Sequence, residues 1–269
     1  MSSTVESERM VTGRRIREHV LRQSRRANVG HIGSALSIAD ILAALYGSIL
    51  RIPAPSDPDR DRFVLSKGHA ALALYAALQL RGWLSEEELA TYCGEESLLG
   101  VHPEAELRGV DFCTGSLGQG LAMAAGSALA ARKSGSARRT FVLLSDAELN
   151  EGSTWEAVMF AAQHRLSNLY AFVDVNGQQA LGYTKDVIAI ENPTERFAAF
   201  GWDAREVDGH DVGAMRAAVD GASADRPHVF VARTVFGRGV SYMQSQIKWH
   251  YWPMSAEEFE QAMTEVART

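Results

Sequence analysis

Two polar side chains that each follow an apolar run could hold a divalent cation. Asp146 comes just after the run 140–144, and Asn176 comes shortly after the run 169–173. Short apolar runs are typical of strands buried on both faces of a parallel sheet, and a helix predicted over 153–164 joins them. The carboxyl ends of such strands share one edge of the sheet, so we expect both side chains to face one site. Their oxygens suit Mg²⁺ or Ca²⁺, although a strand end and a turn would explain the pair more simply when it is taken alone.

A glycine-rich segment and four histidines add to this candidate site. Gly118, Gln119 and Gly120 precede a small-residue helix, so the backbone can approach a ligand closely there. The segment has neither the dinucleotide pattern G-x-G-x-x-G nor the G-K-[ST] of a P-loop. One histidine in a turn is usually only solvated, whereas several suggest a cleft that handles protons. Those in turn-like contexts, each beside a glycine, a proline or an aromatic residue, are His31, His69, His102 and His250.

Alternating apolar and polar segments predict the elements that position these residues. Strands are predicted at 63–65, 140–144, 169–173, 202–207 and 229–235. Helices are predicted at 10–27, 36–50, 69–80, 85–92, from the glycine-rich segment to 132, 153–164, 211–221 and 255–268. Strands that alternate with helices predict an α/β fold, a doubly wound and mostly parallel sheet with helices on both faces. No repeat or clear linker interrupts the pattern, so we expect one domain over 1–269.

The composition narrows the class of protein. Of the 269 residues, 46% are hydrophobic and 22% are charged, as in ordinary globular proteins. The net charge of -6 argues against a nucleic-acid partner, and no apolar run is long enough for a membrane span. Two cysteines, Cys93 and Cys113, argue against a disulfide framework. We expect a soluble protein of the cytoplasm.

Ordered segments along almost the whole chain carry a resemblance to a known family. The chain resembles the N-terminal, diphosphate-binding domain of transketolase. The matching segments are NVGHIGSALSIADILAALY at 28–46, DRFVLSKGHAALALYAAL at 61–78, GVHPE at 100–104, TGSLGQGLAMAAGSALA at 114–130, LLSDAELNEGSTWEAVMFAAQHRLSNLYAFVDVNGQQALG at 143–182 and GRGVSYMQSQIKWHY at 237–251. So many segments in the family's order are specific for the family. They do not identify the substrate.

The resemblance implies a cofactor, thiamine diphosphate, held through Mg²⁺, with Ca²⁺ as a substitute. Asp146 and Asn176 correspond to the two side-chain metal ligands of the family's G-D-G…N motif, and the backbone carbonyl of Gln178 corresponds to a third. The whole set of implied cofactor-binding residues is His69, Gly115, Ser116, Leu117, Asp146, Ala147, Glu148, Asn176 and His250.

The resemblance also implies catalytic roles for the four histidines. His69 and His250 correspond to histidines around the diphosphate and the reacting carbon. His31 and His102 correspond to histidines that hold the carbonyl and hydroxyl groups of a sugar or sugar phosphate. Glu151 corresponds to a glutamate near the subunit contact. The aromatic cluster at 249–252 is expected to line the site or an interface.

Two positions depart from the family's pattern. Ala147 stands where the family has the second glycine of G-D-G, so its methyl group is tolerable only if its φ angle is negative. Ser116 stands where many full-length members have proline, and it is interpreted as a mark of split members.

No segment matches the second thiamine-binding domain, which supplies the glutamate that activates the aminopyrimidine, or the C-terminal domain. We therefore expect a separate subunit that carries both, in an α2β2 assembly with active sites between chains. The expected reaction is transfer of a two-carbon ketol unit from a ketose to an aldose. The alternatives are another thiamine diphosphate enzyme, of the 2-oxoacid or deoxyxylulose phosphate synthase type, and a degenerate subunit that binds without catalysis.

Overall fold

Five parallel strands form the central sheet of the protein, in a computed structural model that describes residues 10–269. The sheet has the order β1-β2-β3-β7-β6, and a separate antiparallel ribbon consists of β4 and β5. In chain order the strands are β1 Arg62–Leu65, β2 Thr140–Ser145, β3 Leu169–Val175, β4 Gln178–Gln179, β5 Gly182–Tyr183, β6 Asp203–Asp208 and β7 His228–Arg233.

Helices cover both faces of this sheet. The α-helices are Gly13–Ala27, Ile32–Ser37, Ala39–Ala44, Ala71–Leu80, Glu86–Leu89, Gly120–Lys133, Gly152–Gln163, Thr184–Val187, Pro193–Ala199, Val212–Asp220, Lys248–Tyr251 and Ala256–Val266. A π-helical turn spans Leu45–Ile49, and 3₁₀ turns span Gly68–Ala70 and Ala147–Asn150. No helix within residues 10–269 is long and apolar enough to cross a membrane.

The inner strands β2, β3 and β7 are apolar on both sides because each side faces its own helical layer, whereas the edge strand β6 is polar and partly exposed. In β2, Phe141 and Leu143 pack into the core under the N-terminal helices. Val142 and Leu144 point the other way, into a second core under Gly120–Lys133. Burial on two faces explains why these inner strands are nearly continuous apolar runs rather than alternating patterns. The doubly wound α/β fold predicted from the sequence is confirmed.

The strand order places a crevice at the carboxyl edge of the sheet. The chain passes from β1 through β2 to β3, then crosses to the far edge and returns through β6 to β7, beside β3. Neighbouring connections therefore leave in opposite directions between β3 and β7, which is where open α/β sheets bind ligands. The loops that meet at this edge begin with Ser66, Asp146, Asn176 and Thr234.

The predicted helix over 36–50 is wrong in detail. The segment is broken at Ile38, whose φ of -92° and ψ of 1° leave the helical region, and it ends in the π-helical turn that contains Gly47. The hydroxyl of Ser37, just before the break, lies 2.9 Å from both Ser34 O and Asp174 Oδ2, so its single hydrogen is shared between two acceptors. Side-chain hydrogen bonds of this kind compete with regular helix geometry, and the helical pattern of apolar residues does not reveal them.

The acidic helix predicted over 85–92 is also shorter than expected. It is a single turn, Glu86–Leu89, held by reciprocal hydrogen bonds between Ser85 and Glu88. The final helix begins as predicted, with Ser255 as its N-cap.

Candidate active site

A cleft of about 460 Å³ opens at the carboxyl edge of the sheet. It brings together all four predicted histidines, the cofactor-loop residues Leu117 and Ala147, and the predicted metal ligands Asn176 and Gln178. Its full lining is His31, Ser34, Lys67, His69, His102, Leu117, Ser145, Ala147, Asn150, Glu151, Asn176, Gln178, Gln179, Ala180, Leu181, Val187, Ile188, His250 and Tyr251.

A buried ion pair forms the floor of this cleft. The side chains of Lys67 and Asp174 have no exposed surface, and the Lys67 ammonium donates to Asp174 Oδ2. The same oxygen accepts from Ser37 Oγ at 2.9 Å and from Asn176 Nδ2 at 2.7 Å, while Asp174 Oδ1 accepts from Thr234 Oγ1. One carboxylate therefore joins the loops after β1, β3 and β7 to an N-terminal helix.

Asp174 also sets the orientation of the Asn176 amide. Because the Asn176 amino group donates to Asp174, its carbonyl oxygen must point the other way, and it accepts from Gln178 N at 2.9 Å. An amide oxygen has two lone pairs, so one remains for a further partner. The contact with Asp174 thus fixes the direction of Asn176 Oδ1, as a second layer of groups around a metal does for its ligands.

Asp146 directly follows β2. It lines a separate cavity rather than the cleft, and it contacts Gly177, the residue after Asn176. The residue Asp146 is 3% exposed, and its carboxylate accepts from Ala147 N at 2.9 Å through Oδ1. Through Oδ2 it accepts from Gly177 N and from Thr184 Oγ1. Burial, with the Asp174 carboxylate adding to it, raises the pKa of Asp146 to about 6. A cation beside this carboxylate would favour its charged form.

Three of the histidines form a compact group. The rings of His31, His69 and His250 lie with their centroids 5.6–5.8 Å apart. His69 is fixed by a 2.9 Å hydrogen bond between its Nε2 and Ser34 Oγ, and the ring of His250 stacks on Phe236. The backbone of His31 is held by a bond from its N–H to His250 O.

Burial keeps these histidines neutral. Burial, followed by the Lys67 ammonium, holds the pKa of His69 well below its usual value. Burial, with His31 adding to it, lowers the pKa of His250 to about 4, and burial together with His102 lowers the pKa of His31. Neutral imidazoles can both donate and accept hydrogen bonds, and they can take up a proton from a substrate hydroxyl.

Two glycines allow the loops to approach each other closely. A side chain at Gly30 would lie 2.3 Å from Tyr251 O, so glycine is required for the loop of His31 to pass beside His250. A side chain at Gly68 would lie 2.8 Å from Thr114 C, which is how the turn carrying His69 meets the 114–117 segment. Packing of this kind is the reason for glycine at both positions.

The departure at Ala147 causes no strain. Ala147 begins a 3₁₀ turn and is not among the residues with positive φ. Its methyl group lines the cleft without a conformational cost, which fulfils the condition set by the sequence.

Three further residues were predicted to contact the cofactor. Glu148 is fully buried and, like Asp146, lies outside the cleft lining, so its contact with the cofactor stays a prediction. Its carboxylate accepts from Gly118 N, Ser145 N and Ser66 Oγ, and it therefore holds the glycine-rich loop against β2. Gly115 packs against the ring of His102, and Ser116 is exposed.

The aromatic cluster at 249–252 divides into three environments. Trp249 is 2% exposed and belongs to the core, contrary to the expectation of a site or interface residue. Tyr251 lines the cleft, and its hydroxyl donates to Ala180 O at 2.6 Å. Trp252 is 63% exposed. Periodicity fails here because a four-residue helix, Lys248–Tyr251, turns successive side chains in different directions.

Sequence reasoning missed Ser34, Lys67 and Asp174. Asp174 carried a signal, since a charged residue inside a strand buried on both faces requires a partner. That partner, Lys67, lies more than a hundred positions away in the sequence, so the local pattern could not identify it.

The buried ion pair predicts a large effect on stability. We expect Lys67→Met to lower the free energy of unfolding by about 3–5 kcal/mol, because it leaves the Asp174 charge buried without a partner. Urea denaturation of the unliganded chain measures this. The double variant with Asp174→Asn should recover part of the loss, and a cost below about 1 kcal/mol for Lys67→Met would contradict the assignment.

The neutral state of His250 is open to direct measurement. We expect nitrogen-detected NMR to show a neutral His250 ring down to a pH near 4, because its pKa is lowered to about 4. The unfolded chain takes up that proton near the ordinary value of 6.5, so this group makes the folded state less stable as the pH falls from 6.5 to about 4. A His250 titration midpoint near 6.5 would show that the ring is not shielded.

Comparison with known proteins gives the geometry a context. Residues 8–267 match the family described as "Transketolase, thiamine diphosphate binding domain". An apulose-4-phosphate transketolase subunit of Phocaeicola vulgatus is 40% identical over 247 residues, covering 90% of this chain and 88% of that protein. The "6-deoxy-6-sulfo-D-fructose transketolase subunit SqwG" of Clostridium sp. is 37% identical over 258 residues, 94% of each chain.

Solved structures agree with these relatives. The transketolase of Campylobacter jejuni superimposes with a TM-score of 0.88 and 32% identity over 99% of this chain. The match covers 43% of the Campylobacter chain, so this chain spans about two fifths of such a transketolase. The resemblance inferred from the sequence is confirmed, and the chain belongs to the transketolase family, in its thiamine diphosphate-binding N-terminal domain.

Proposed function

We propose that this chain is the diphosphate- and metal-binding component of a two-component transketolase. Its reaction is the transfer of a two-carbon ketol unit from a ketose, free or phosphorylated, to an aldose. The observation that carries the proposal is the coverage of the relatives. The chain accounts for 88–94% of two proteins named as transketolase subunits but for only 41% of the human single-chain transketolase.

The predicted donor set fits a magnesium ion, with Asn176 and Gln178 in the cleft lining and Asp146 joined to them through Gly177. Asp146 supplies a carboxylate whose pKa is raised because it is buried without a cation beside it. Asn176 supplies an amide oxygen oriented by Asp174, and Gln178 supplies a backbone carbonyl. These are hard oxygen ligands, and three of them leave positions on an octahedral ion for a diphosphate. The ion would offset the charge between Asp146 and the diphosphate.

The chain's own residues would position the substrate. When bound, thiamine diphosphate supplies an electron sink for the carbanion formed as a ketose carbon–carbon bond breaks. His31, His69 and His102 line the cleft and would hold the carbonyl and hydroxyl oxygens of the sugar. Burial lowers the pKa of His31, His69 and His250, so these rings are neutral and each can donate one hydrogen bond and accept another.

Apolar side chains complete the cleft. Leu117, Leu181, Ile188 and the ring of Tyr251 surround the polar groups. Leu181 and Ile188 are respectively 84% and 59% exposed in this chain. We infer that a second subunit covers this side, excludes water and supplies the glutamate that activates the aminopyrimidine. An α2β2 assembly in the cytoplasm is the arrangement we propose, with Glu151 near the contact between subunits.

The metal site predicts the effect of removing its carboxylate. We expect Asp146→Ala to abolish Mg²⁺-dependent binding of thiamine diphosphate, since the diphosphate would lose its cation, as measured by calorimetry. The matched control is Asp186→Ala, which removes an exposed carboxylate nearby and should leave the affinity unchanged. Equal loss in both variants would point to net charge rather than to a metal ligand.

The need for a second subunit predicts where activity lies. We expect the purified chain with thiamine diphosphate and Mg²⁺ to show no transfer from a ketose to an aldose, and the mixture with its partner subunit to show it. A coupled assay of aldose release measures both. Ketol transfer by the purified chain alone would contradict the two-component proposal.

A further inference from the structure

Four of the ten buried side-chain atoms that have no hydrogen-bond partner within residues 10–269 belong to residues of the cleft lining. They are His31 Nδ1, His250 Nδ1 and both side-chain amide atoms of Gln178. A buried polar atom without a partner loses its hydrogen bonds to water and gains nothing in return, so native proteins rarely retain one without use. These atoms are therefore available to form hydrogen bonds with a bound ligand.

Gln178 is the distinctive member of this set. The residue is 4% exposed, and its backbone is fixed by pairing with Tyr183 and by donation to Asn176 Oδ1. The neighbouring Gln179 is similarly buried, at 7%, yet its amide donates to Asn150 Oδ1 at 2.8 Å. The two adjacent glutamines therefore differ. Within the described chain the Gln179 amide has a hydrogen-bond partner and the Gln178 amide has none.

We propose that the Gln178 carboxamide is a ligand-binding group that recognises the metal–diphosphate end of the cofactor. The proposal rests on the proposed function. An amide offers donors through Nε2 and an acceptor through Oε1. A diphosphate offers only acceptors, and a magnesium ion usually keeps water that can donate. A metal–diphosphate group therefore satisfies both halves of the amide, beside Asn176.

The cleft offers a diphosphate few cationic side chains, so neutral hydrogen-bond donors matter for its binding. Lys67 is the only lysine or arginine of the described chain that lines the cleft, and its ammonium is already paired with Asp174. A diphosphate consequently gains donors from uncharged groups. Hydrogen bonds between a neutral donor and a charged acceptor are stronger than those between neutral groups.

The test compares two glutamines by the same substitution. In the complex of this chain with its partner, at saturating Mg²⁺, we expect Gln178→Leu to raise the Kd of thiamine diphosphate by about 10-fold, by calorimetry. The backbone carbonyl is retained. The control is Gln79→Leu, at a glutamine whose Oε1 is also unpaired in the described chain but lies outside the cleft, and it should leave the Kd unchanged.

A second readout separates ligand binding from a structural role. Without cofactor, Gln178→Leu should unfold at the same or a higher temperature than the wild type, because two unpaired buried atoms are removed. A lower unfolding temperature would mean that the amide supports the fold, and it would overturn the proposal. Gln178→Glu should weaken binding more than Gln178→Leu, since it sets a carboxylate against the diphosphate, and the reverse order would also overturn it.

The outcomes for the two proposals are distinct. If the wild-type complex binds thiamine diphosphate and Gln178→Leu binds it equally well, the role of Gln178 is wrong and the proposed function stands. If the wild-type complex does not bind the cofactor with Mg²⁺, both proposals fail.

Discussion

The site depends on one buried ion pair, Lys67 with Asp174, at the carboxyl edge of the sheet. A carboxylate in this position, inside a strand covered on both faces, is stable only if donors surround it. The chain provides them from the loops after β1, β3 and β7 and from Ser37. The same contacts that satisfy the charge also fix the loops and orient Asn176. Stability and ligand geometry are thus properties of one network.

The cleft combines a polar inner part with an apolar outer part. Its inner part presents the oxygens of Asn176 and Gln178 and neutral histidines, whose pKa values are lowered by burial and by the nearby Lys67 ammonium. Its outer part presents exposed apolar side chains such as Leu181 and Ile188. A polar interior with an apolar rim suits a site that is completed when another subunit excludes water.

The sequence was sufficient for the parts that follow from local patterns. Apolar runs identified β1, β2, β3 and β7, and the positions of Asp146 and Asn176 after β2 and β3 placed them at one edge. Features that depend on distant contacts could not be predicted. The break at Ile38, the partner of Asp174 and the supporting role of Glu148 arise from side chains that meet only after folding. Trp249 was misjudged because its short helix turns it into the core.

The central claim is that Asp146, Asn176 and the Gln178 carbonyl hold the metal that binds the diphosphate. The most direct measurement is anomalous diffraction from crystals of the chain with its partner subunit, thiamine diphosphate and Mn²⁺ in place of Mg²⁺. We predict one anomalous peak per chain, within coordination distance of those three oxygens and of the diphosphate. Bound thiamine diphosphate with the metal peak elsewhere, or with no peak at these oxygens, would contradict the account.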